Sequence, residues 1–370
     1  MALNVLVVGG GIGGLAAAIA LSRKGHGVTV IERDPDWSVY GVGIIQQSNV
    51  VRAMEQLGVL DRFISAAFGF DAVEIYAPDG TRVARIPSPR LVEGRPANVG
   101  IGRPALQAVL ADTARELGAE VRLGVTVETL ADDGAAVDVA FSDGSTGRYD
   151  LVIGADGVRS QIRGMILPGA EGPEYTGQAV WRYNLPRPAD LDALRAYNGP
   201  TGVGLVPMSA PVMYMFVTTP EPGNPRYPVE GLAARMRERV AGCAPAIREL
   251  AEQITDDAAV VYRPLEGMMV TGLWSKGRVV LLGDAVHATT PHLGQGAGMA
   301  IEDALVLAEE LSRDADVARA CVSYRNRRYE RCQTIVSASL AICYGQLGKG
   351  PPVDMQQATA EMFATVAKPI

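Results

Sequence analysis

The first chemical signal in the sequence is a glycine pattern near the start of the chain. Gly9, Gly11 and Gly14 form GxGxxG, with Gly13 in the same turn, between the apolar run Asn4–Val8 and an alanine-rich segment typical of a helix. Such glycines allow a tight turn, close approach of the backbone to a pyrophosphate and close helix–strand packing. The free N–H groups at the helix N-terminus favour the anion. The pattern therefore predicts a dinucleotide site.

An acidic residue follows at the position that such a site uses for the ribose. Val28–Ile31 predicts a second strand, and Glu32 and Arg33 come directly after it. A carboxylate there accepts hydrogen bonds from ribose hydroxyls and repels a 2′-phosphate. Glu32 thus favours FAD or NAD over NADP. A glycine-rich turn without a ligand is the alternative, and the complete strand–helix–strand unit disfavours it.

A second glycine cluster lies late in the chain. Arg278–Leu282 predicts a buried strand that ends in Gly283 and Asp284, and a glycine-rich loop then leads into a helix from Met299. Asp284 is placed to accept hydrogen bonds from ribityl hydroxyls, and the helix N-terminus favours negative charge on a flavin ring. Two such segments suit one long cofactor, FAD. They argue against a plain NAD dehydrogenase and against a nucleotide-binding protein without redox chemistry.

Composition restricts the remaining classes of function. The 370 residues suggest two or three domains. The net charge of −7 comes without a concentrated basic patch, which disfavours nucleic acid or an anionic membrane as a partner. The apolar runs are too short for a membrane helix. The 4 cysteines have no zinc-site spacing, so we expect no metal site, no disulfide framework and a cytoplasmic location.

The order of elements predicts an α/β protein with a discontinuous organisation. We expect a Rossmann-like FAD-binding domain at 1–75, 98–170 and 272–345, an inserted β-rich substrate domain at 76–97 and 171–271, and a C-terminal tail or helix at 346–370. Long C-terminal helices complete the FAD-binding part. Within these domains the sequence predicts a strand over Val121–Val127 and a helix over Val229–Val240.

Three motifs in order resemble the class A flavoprotein monooxygenases, the para-hydroxybenzoate hydroxylase-like aromatic hydroxylases. They are GGGIGG with Glu32 and Arg33, IGADGVRS from Ile153, and GDAVHATTPHLGQG from Gly283. The resemblance extends over residues 3–345 and is strongest to the compact salicylate and 6-hydroxynicotinate hydroxylase type. It implies that FAD is held by Gly9, Gly11, Gly13, Gly14, Glu32, Arg33, Arg103, Val127, Asp156, Gly157, Asp284, Gly294, Gln295, Gly296, Ala297, Gly298 and Met299.

The resemblance also implies a reaction. NADH or NADPH reduces FAD, O₂ forms a hydroperoxide at flavin carbon 4a, and one oxygen atom enters a small aromatic or N-heteroaromatic ring. A flavin dehydrogenase without oxygen insertion is the main alternative. Trp181–Pro186 is superficially similar to a halogenase motif, but Tyr183 replaces its second tryptophan, which disfavours that activity. The substrate, the choice of nicotinamide and the oligomeric state, for which a homodimer is one option, remain open.

Individual residues are candidates for chemistry and substrate binding, and Tyr214 matches a pocket tyrosine of the family that the chain resembles. Pro291 is expected to border the flavin, His287 and His292 are candidates for proton transfer, and Tyr214 is a candidate pocket residue. Pro291 would form a rigid turn next to the flavin edge. The alternatives are histidines that are simply packed and hydrogen-bonded near FAD, and a half-buried sheet tyrosine. Arg182 could hold an acidic substrate or face solvent. Met208 could form an adaptable apolar wall or fill the core.

Overall fold

The computed structural model describes residues 2–370, so Met1, the first residue of the expected FAD-binding domain, lies outside the described residues. The strands are β1 (Asn4–Val8), β2 (Gly27–Glu32), β3 (Gly43–Gln46), β4 (Ala67–Phe70), β5 (Ala72–Tyr76), β6 (Arg82–Pro87), β7 (Asn98–Gly102), β8 (Glu120–Leu123), β9 (Val127–Asp132), β10 (Val137–Phe141), β11 (Thr146–Tyr149), β12 (Leu151–Gly154), β13 (Glu174–Pro186), β14 (Leu194–Tyr197), β15 (Gly202–Pro207), β16 (Val212–Pro220), β17 (Val261–Gly267), β18 (Ser275–Lys276) and β19 (Val279–Leu281). The helices are α1 (Ile12–Arg23), α2 (Ser48–Gln56), α3 (Leu60–Ser65), α4 (Arg103–Glu116), α5 (Gln161–Ile166), α6 (Leu232–Val240), α7 (Pro245–Ala251), α8 (Asp284–His287), α9 (Gly296–Arg313), α10 (Val317–Gln346) and α11 (Met355–Ala367).

The first large sheet contains both glycine clusters. It has six strands in the order β18-β19-β12-β1-β2-β8, and every neighbouring pair except β18–β19 is parallel. Val5–Val8 of β1 are buried, because helices cover a parallel sheet on both faces. The carboxyl ends of β1, β2, β12 and β19 lie at one edge, where ligands bind in open α/β sheets. The predicted Rossmann-like α/β fold is confirmed.

The second large sheet is β-rich and mostly antiparallel. It has seven strands in the order β17-β13-β16-β15-β14-β5-β6. β5 pairs with β14 in parallel and with β6 antiparallel, so it belongs to this sheet. The domain boundary expected between residues 75 and 76 therefore falls inside β5. The other expected boundaries stay predictions.

Two expected elements differ because of a glycine in the left-handed region. The helix expected from Val229 begins at Leu232, since Gly231 has a φ of 85° and its N–H donates to Asp257 Oδ2 at 2.7 Å. The strand expected over Val121–Val127 divides into β8 and β9. Gly124, with a φ of 73°, turns the chain between them.

The segment 346–370, expected as a tail or helix, contains α11. Asp354 caps this helix by accepting hydrogen bonds from the N–H groups of Gln356 and Gln357 at 2.8 and 3.1 Å. Arginines from α2 and α10 donate to backbone carbonyl groups of residues 366–370. The C-terminal end of α11 is thus hydrogen-bonded to α2 and α10. Among residues 2–370, no helix combines the length and apolar character needed to cross a membrane.

Candidate active site

One cleft of about 850 Å³ extends from the turn after β1 to the seven-stranded sheet. At one end it is lined by residues that follow the carboxyl ends of β1, β2, β12 and β19. At the other end it is lined by strands of the seven-stranded sheet and by α11. The two glycine clusters, which are far apart in sequence, therefore meet at one cavity.

The glycines of the first turn have different surroundings. A Cβ on Gly9, whose φ is 110°, would lie 2.4 Å from the backbone oxygen of Ala155, and a Cβ on Gly14 would lie 2.0 Å from the oxygen of Gly9. A Cβ on Gly13 would lie 2.9 Å from a methyl group of Leu282. A Cβ on Gly11 would meet nothing within 4 Å, because this residue faces the cleft. Gly9 and Gly14 thus allow close packing, and Gly11 leaves room for a ligand.

Glu32 is held at the end of β2 by backbone donors. Its Oε2 accepts a hydrogen bond from Gly10 N and its Oε1 from Asp34 N, both at 2.9 Å. Glu32 and the exposed Arg33 line the cleft. Trp37 and Gln107 both donate to the carbonyl of Gly10 at 2.8 Å, a role that no local sequence pattern indicates.

The middle motif brings only part of its residues to the cleft. Gly157 lines it, with a φ of 82° and open space beside its Cα. The carboxylate of Asp156 instead accepts from Ser160 Oγ at 2.6 Å and from Gln161 N at 2.7 Å, so it caps α5. Val127 is buried away from the cleft, and its carbonyl accepts from Gln161 Nε2 at 2.9 Å. The residues Asp156 and Val127, expected to bind FAD, are therefore engaged within the protein.

Some residues of the late glycine loop line the cleft, and others lie in the protein core. Pro291, Gly294, Gly296 and Ala297 line the cleft, where α9 begins. The other expected loop residues lie behind this surface and are buried: Gln295, Gly298 and Met299. The N-terminus of α9 and its free N–H groups thus lie at the cleft wall.

Asp284 and Arg103 lie at the cleft without a carboxylate–guanidinium hydrogen bond between them. Each opens its helix, α8 and α4 respectively, and each lines the cleft. Asp284 is exposed to the cleft, and desolvation by the protein atoms around its carboxyl raises its pKa above the ordinary value. Burial lowers the pKa of Arg103, and its Nε has no hydrogen-bond partner among residues 2–370.

The structure places His287 outside the cleft. This histidine is completely buried, and its Nε2 lies 2.6 Å from Asp303 Oδ2, which also accepts from Gly283 N at 3.0 Å. Burial alone lowers the pKa of His287, but Cys332 and Asp303 outweigh it and raise the value well above normal. Arg328 donates to Asp303 Oδ1 at 2.8 Å and approaches Cys332 Sγ. Because a cation already occupies this cluster, we assign it no metal ion and no substrate proton transfer.

His292 lies at the cleft with both ring nitrogens engaged. Its Nδ1 is 2.9 Å from Thr290 Oγ1 and its Nε2 is 3.0 Å from Gln346 Oε1. Burial lowers the pKa of His292 to about 4, so the ring is neutral at neutral pH. In this arrangement neither nitrogen is free to accept a proton from a substrate.

The expected substrate residues gather at the far end of the cleft. Arg182 from β13 and Tyr214 from β16 line it, and Met208 lies behind Tyr214 in a small apolar cluster with Ile45. Burial raises the pKa of Tyr214. Burial and the nearby Arg103 lower the pKa of Arg182 to about 10, so its guanidinium remains charged at neutral pH.

Sequence reasoning missed the wall formed by α11. Met355, Thr359 and Met362 line the cleft from one face of this helix. These three residues are spaced four and three positions apart, which is helical periodicity, and Asp354 directly before them is a typical N-cap residue. The sequence therefore contains a signal for this helix. Phe216 and its neighbours in the seven-stranded sheet also line the cleft, and their burial depends on the pairing of distant strands.

The residues of the cleft fit FAD. Gly11 is open where a pyrophosphate would approach, the carboxyl of Asp284 points into the cavity, and the buried Nε of Arg103 is unpartnered among the described residues. These groups would hold the pyrophosphate, the ribityl chain and the region between them. Such a donor and acceptor set matches an extended dinucleotide.

Comparisons with known proteins agree with this site. Residues 2–339 match the family described as FAD binding domain. The chain is 31% identical over 351 residues to the 2-heptyl-3-hydroxy-4(1H)-quinolone synthase of Pseudomonas aeruginosa, covering 94% of this chain and 90% of the relative. It is 32% identical over 356 residues to the 6-hydroxynicotinate 3-monooxygenase of Bordetella bronchiseptica, covering 91% and 90%.

A solved structure extends the comparison to the fold. Klebsiella pneumoniae HpxO, complexed with FAD and uric acid, superimposes with a TM-score of 0.85 at 28% identity, covering 99% of this chain and 92% of HpxO. The chain is thus similar throughout its length to proteins of this kind. These relatives favour oxygen insertion over the flavin dehydrogenase and halogenase alternatives.

Proposed function

The chain belongs to the FAD binding domain family as a FAD-dependent aromatic monooxygenase, and we propose that it hydroxylates an aromatic or N-heteroaromatic ring carrying an acidic or enolic oxygen. The observation that supports this substrate most directly is Arg182, a half-buried cation that lines the cleft beside Tyr214. Among residues 2–370 no carboxylate forms an ion pair with this guanidinium, and such a partly desolvated cation favours an anionic ligand group.

Each part of the cleft has a proposed task. Glu32 would bind the adenosine ribose, Gly11 the pyrophosphate, and Asp284 the ribityl hydroxyls. FAD, when bound, accepts a hydride from NADH or NADPH and activates O₂ for transfer to the ring. The N-terminus of α9 would favour negative charge on the flavin.

The remaining residues would position the ring and exclude water. Arg182 would bind the ring's anionic oxygen, and Tyr214 would orient the ring by a hydrogen bond. Pro291, which lines the cleft beside the α9 N-terminus, would keep that wall rigid. A dry site protects the activated oxygen from loss to water. Because all 4 cysteines are free, we also place the enzyme in the cytoplasm; a homodimer stays a prediction.

Labelled oxygen gives the direct test of this proposal. The FAD-loaded protein is incubated with ¹⁸O₂, NADH or NADPH, and a panel of phenols and N-heteroaromatic acids that includes 6-hydroxynicotinate. We expect substrate-stimulated nicotinamide oxidation and one labelled oxygen atom in the product. Product without label, or turnover that continues without oxygen, would support the flavin dehydrogenase alternative instead.

A further inference from the structure

The cleft extends beyond the space that one ring at Arg182 requires. Across the seven-stranded sheet, Arg182 pairs with Phe216, Phe216 with Gly204, and Gly204 with Ala196. Ala196 in turn pairs with Ile75. Directly paired residues point to the same face of a sheet, so this row leads away from Arg182 along the cleft.

A second row follows the same direction. Leu194 pairs with Val73, and both line the cleft together with Phe216, Ala196 and Ile75. We call these five residues the apolar floor. From β16 to β5 the floor crosses three strand spacings, or about 14 Å, which exceeds the length of one aromatic ring.

The shape of the floor depends on Gly204. A Cβ at this position would lie 2.1 Å from ring carbons of Phe216. The absence of a side chain therefore lets the phenyl ring lie across β15 and leaves the path over Ala196 open.

Charged side chains of these strands lie on the face opposite to the apolar floor. Between the floor residues, Glu74 and Arg195 form an ion pair at 3.2 Å, and Tyr76 stacks on Tyr197 with ring centroids 4.6 Å apart. The alternation of strand residues thus turns mainly apolar side chains toward the cleft, where Asn198 after β14 adds a neutral polar group, and turns the charged side chains away from it.

Helix α11 lies over the floor. Met355, Thr359 and Met362 line the same cleft from this helix. The two methionines provide a flexible apolar surface suited to a chain without fixed shape. The floor and this helix face together enclose a channel that begins beside Arg182.

We infer that the substrate carries an extended apolar substituent, such as an alkyl chain, that lies in this channel while the ring oxygen binds Arg182. This inference rests on the proposed function for the position of the ring. It defines the substrate class further, as amphipathic ring compounds with a long apolar tail.

The probe is a series of 2-alkyl-4-quinolones from methyl to nonyl, added to the FAD-loaded protein without a nicotinamide. Dissociation constants are measured from the change in flavin absorbance. We expect affinity to increase about fourfold per added methylene until the channel is filled. Equal affinity for methyl and nonyl compounds, or no binding at any chain length, would overturn the inference.

Variants connect the effect to the channel. Ala196→Phe from the floor and Met355→Trp from the roof should each remove most of the dependence on chain length. Ala360→Phe, on the exposed face of α11, should retain it. FAD content reports whether each variant folds, and an unchanged dependence in both channel variants would contradict the inference.

The two proposals can fail separately. Labelled product from the methyl compound with no effect of chain length would leave the proposed function standing and remove the channel. Increasing affinity with chain length and no oxygen transfer to any ring would support the channel and contradict the proposed hydroxylation of this ring class.

Discussion

Asp284 is expected to bind FAD through its carboxyl group. Asp284→Ala should weaken FAD binding about 10- to 100-fold, because hydrogen bonds to charged groups contribute about 1.5–3 kcal/mol. Fluorescence titration of the apoprotein with FAD measures the change. Asp192→Ala, which removes an exposed carboxylate, should bind FAD as the parent does. Equal affinity of the Asp284 variant and the parent would contradict the assigned contact.

Arg182 is expected to determine affinity for the substrate and to have little effect on FAD. Arg182→Gln should raise the KM for the substrate about 10- to 100-fold, because it removes a charge-assisted hydrogen bond. The KM of Arg182→Lys should lie between those of the parent and Arg182→Gln. The pKa of about 10 predicts constant binding of a substrate anion at neutral pH and a decrease as pH rises past 10. Arg90→Gln, at an exposed ion pair with Asp71, is the control. A normal KM in Arg182→Gln would show that this cation does not contact the substrate.

His292 should affect stability more than chemistry. Its folded pKa of about 4 lies below the ordinary value of 6.5, so the unfolded chain binds the proton first as pH falls. This contribution to stability is complete above pH 6.5 and is lost toward pH 4, by about 3 kcal/mol in total. Urea unfolding between these pH values should show a smaller loss for His292→Gln. An equal loss in both proteins would contradict the buried neutral imidazole.

Secondary-structure elements that follow from local sequence patterns could be predicted, whereas features that depend on contacts between distant residues could not. The turn after β1 and the strand before Asp284 follow from glycine spacing and apolar runs. The capping role of Asp156 could not be predicted, because a carboxylate in a motif gives no indication of which hydrogen-bond donors will lie next to it. The apolar floor depends on the register of the four strands β16, β15, β14 and β5, which alternation along one strand does not determine.

Helix α11 depends on Arg52 for its position over the cleft. Arg52 donates to the carbonyl groups of Val366, Ala367 and Lys368 at 3.0–3.1 Å. Arg52→Ala should increase amide exchange in α11 about 10- to 100-fold, because charged donors at a helix C-terminus are lost. Hydrogen exchange with mass spectrometry measures this change. Arg62→Ala, at an exposed ion pair with Glu116, should leave α11 protected.

At the scale of the molecule, the two large sheets have separate cores joined at the cleft. The six-stranded sheet and its helices form one apolar cluster, which also includes Val73 and Ile75 of β5, and most of the seven-stranded sheet forms another with α6 and α7. A small cluster of Ile45, Phe70, Val206, Met208 and Tyr214 lies between them. The surfaces that would contact FAD and substrate come from both sides, so ligand binding should couple the two cores.

Calorimetry of unfolding tests this coupling. Without FAD we expect two overlapping transitions, since each core has its own set of buried apolar side chains. FAD at about 100 times its dissociation constant should stabilise the protein by about 2.7 kcal/mol and merge the transitions. Asp284→Ala should need proportionally more FAD for the same shift. If FAD raises one transition and leaves the other at its original temperature, the cofactor contacts one core alone, and the cleft does not connect the two sheets energetically.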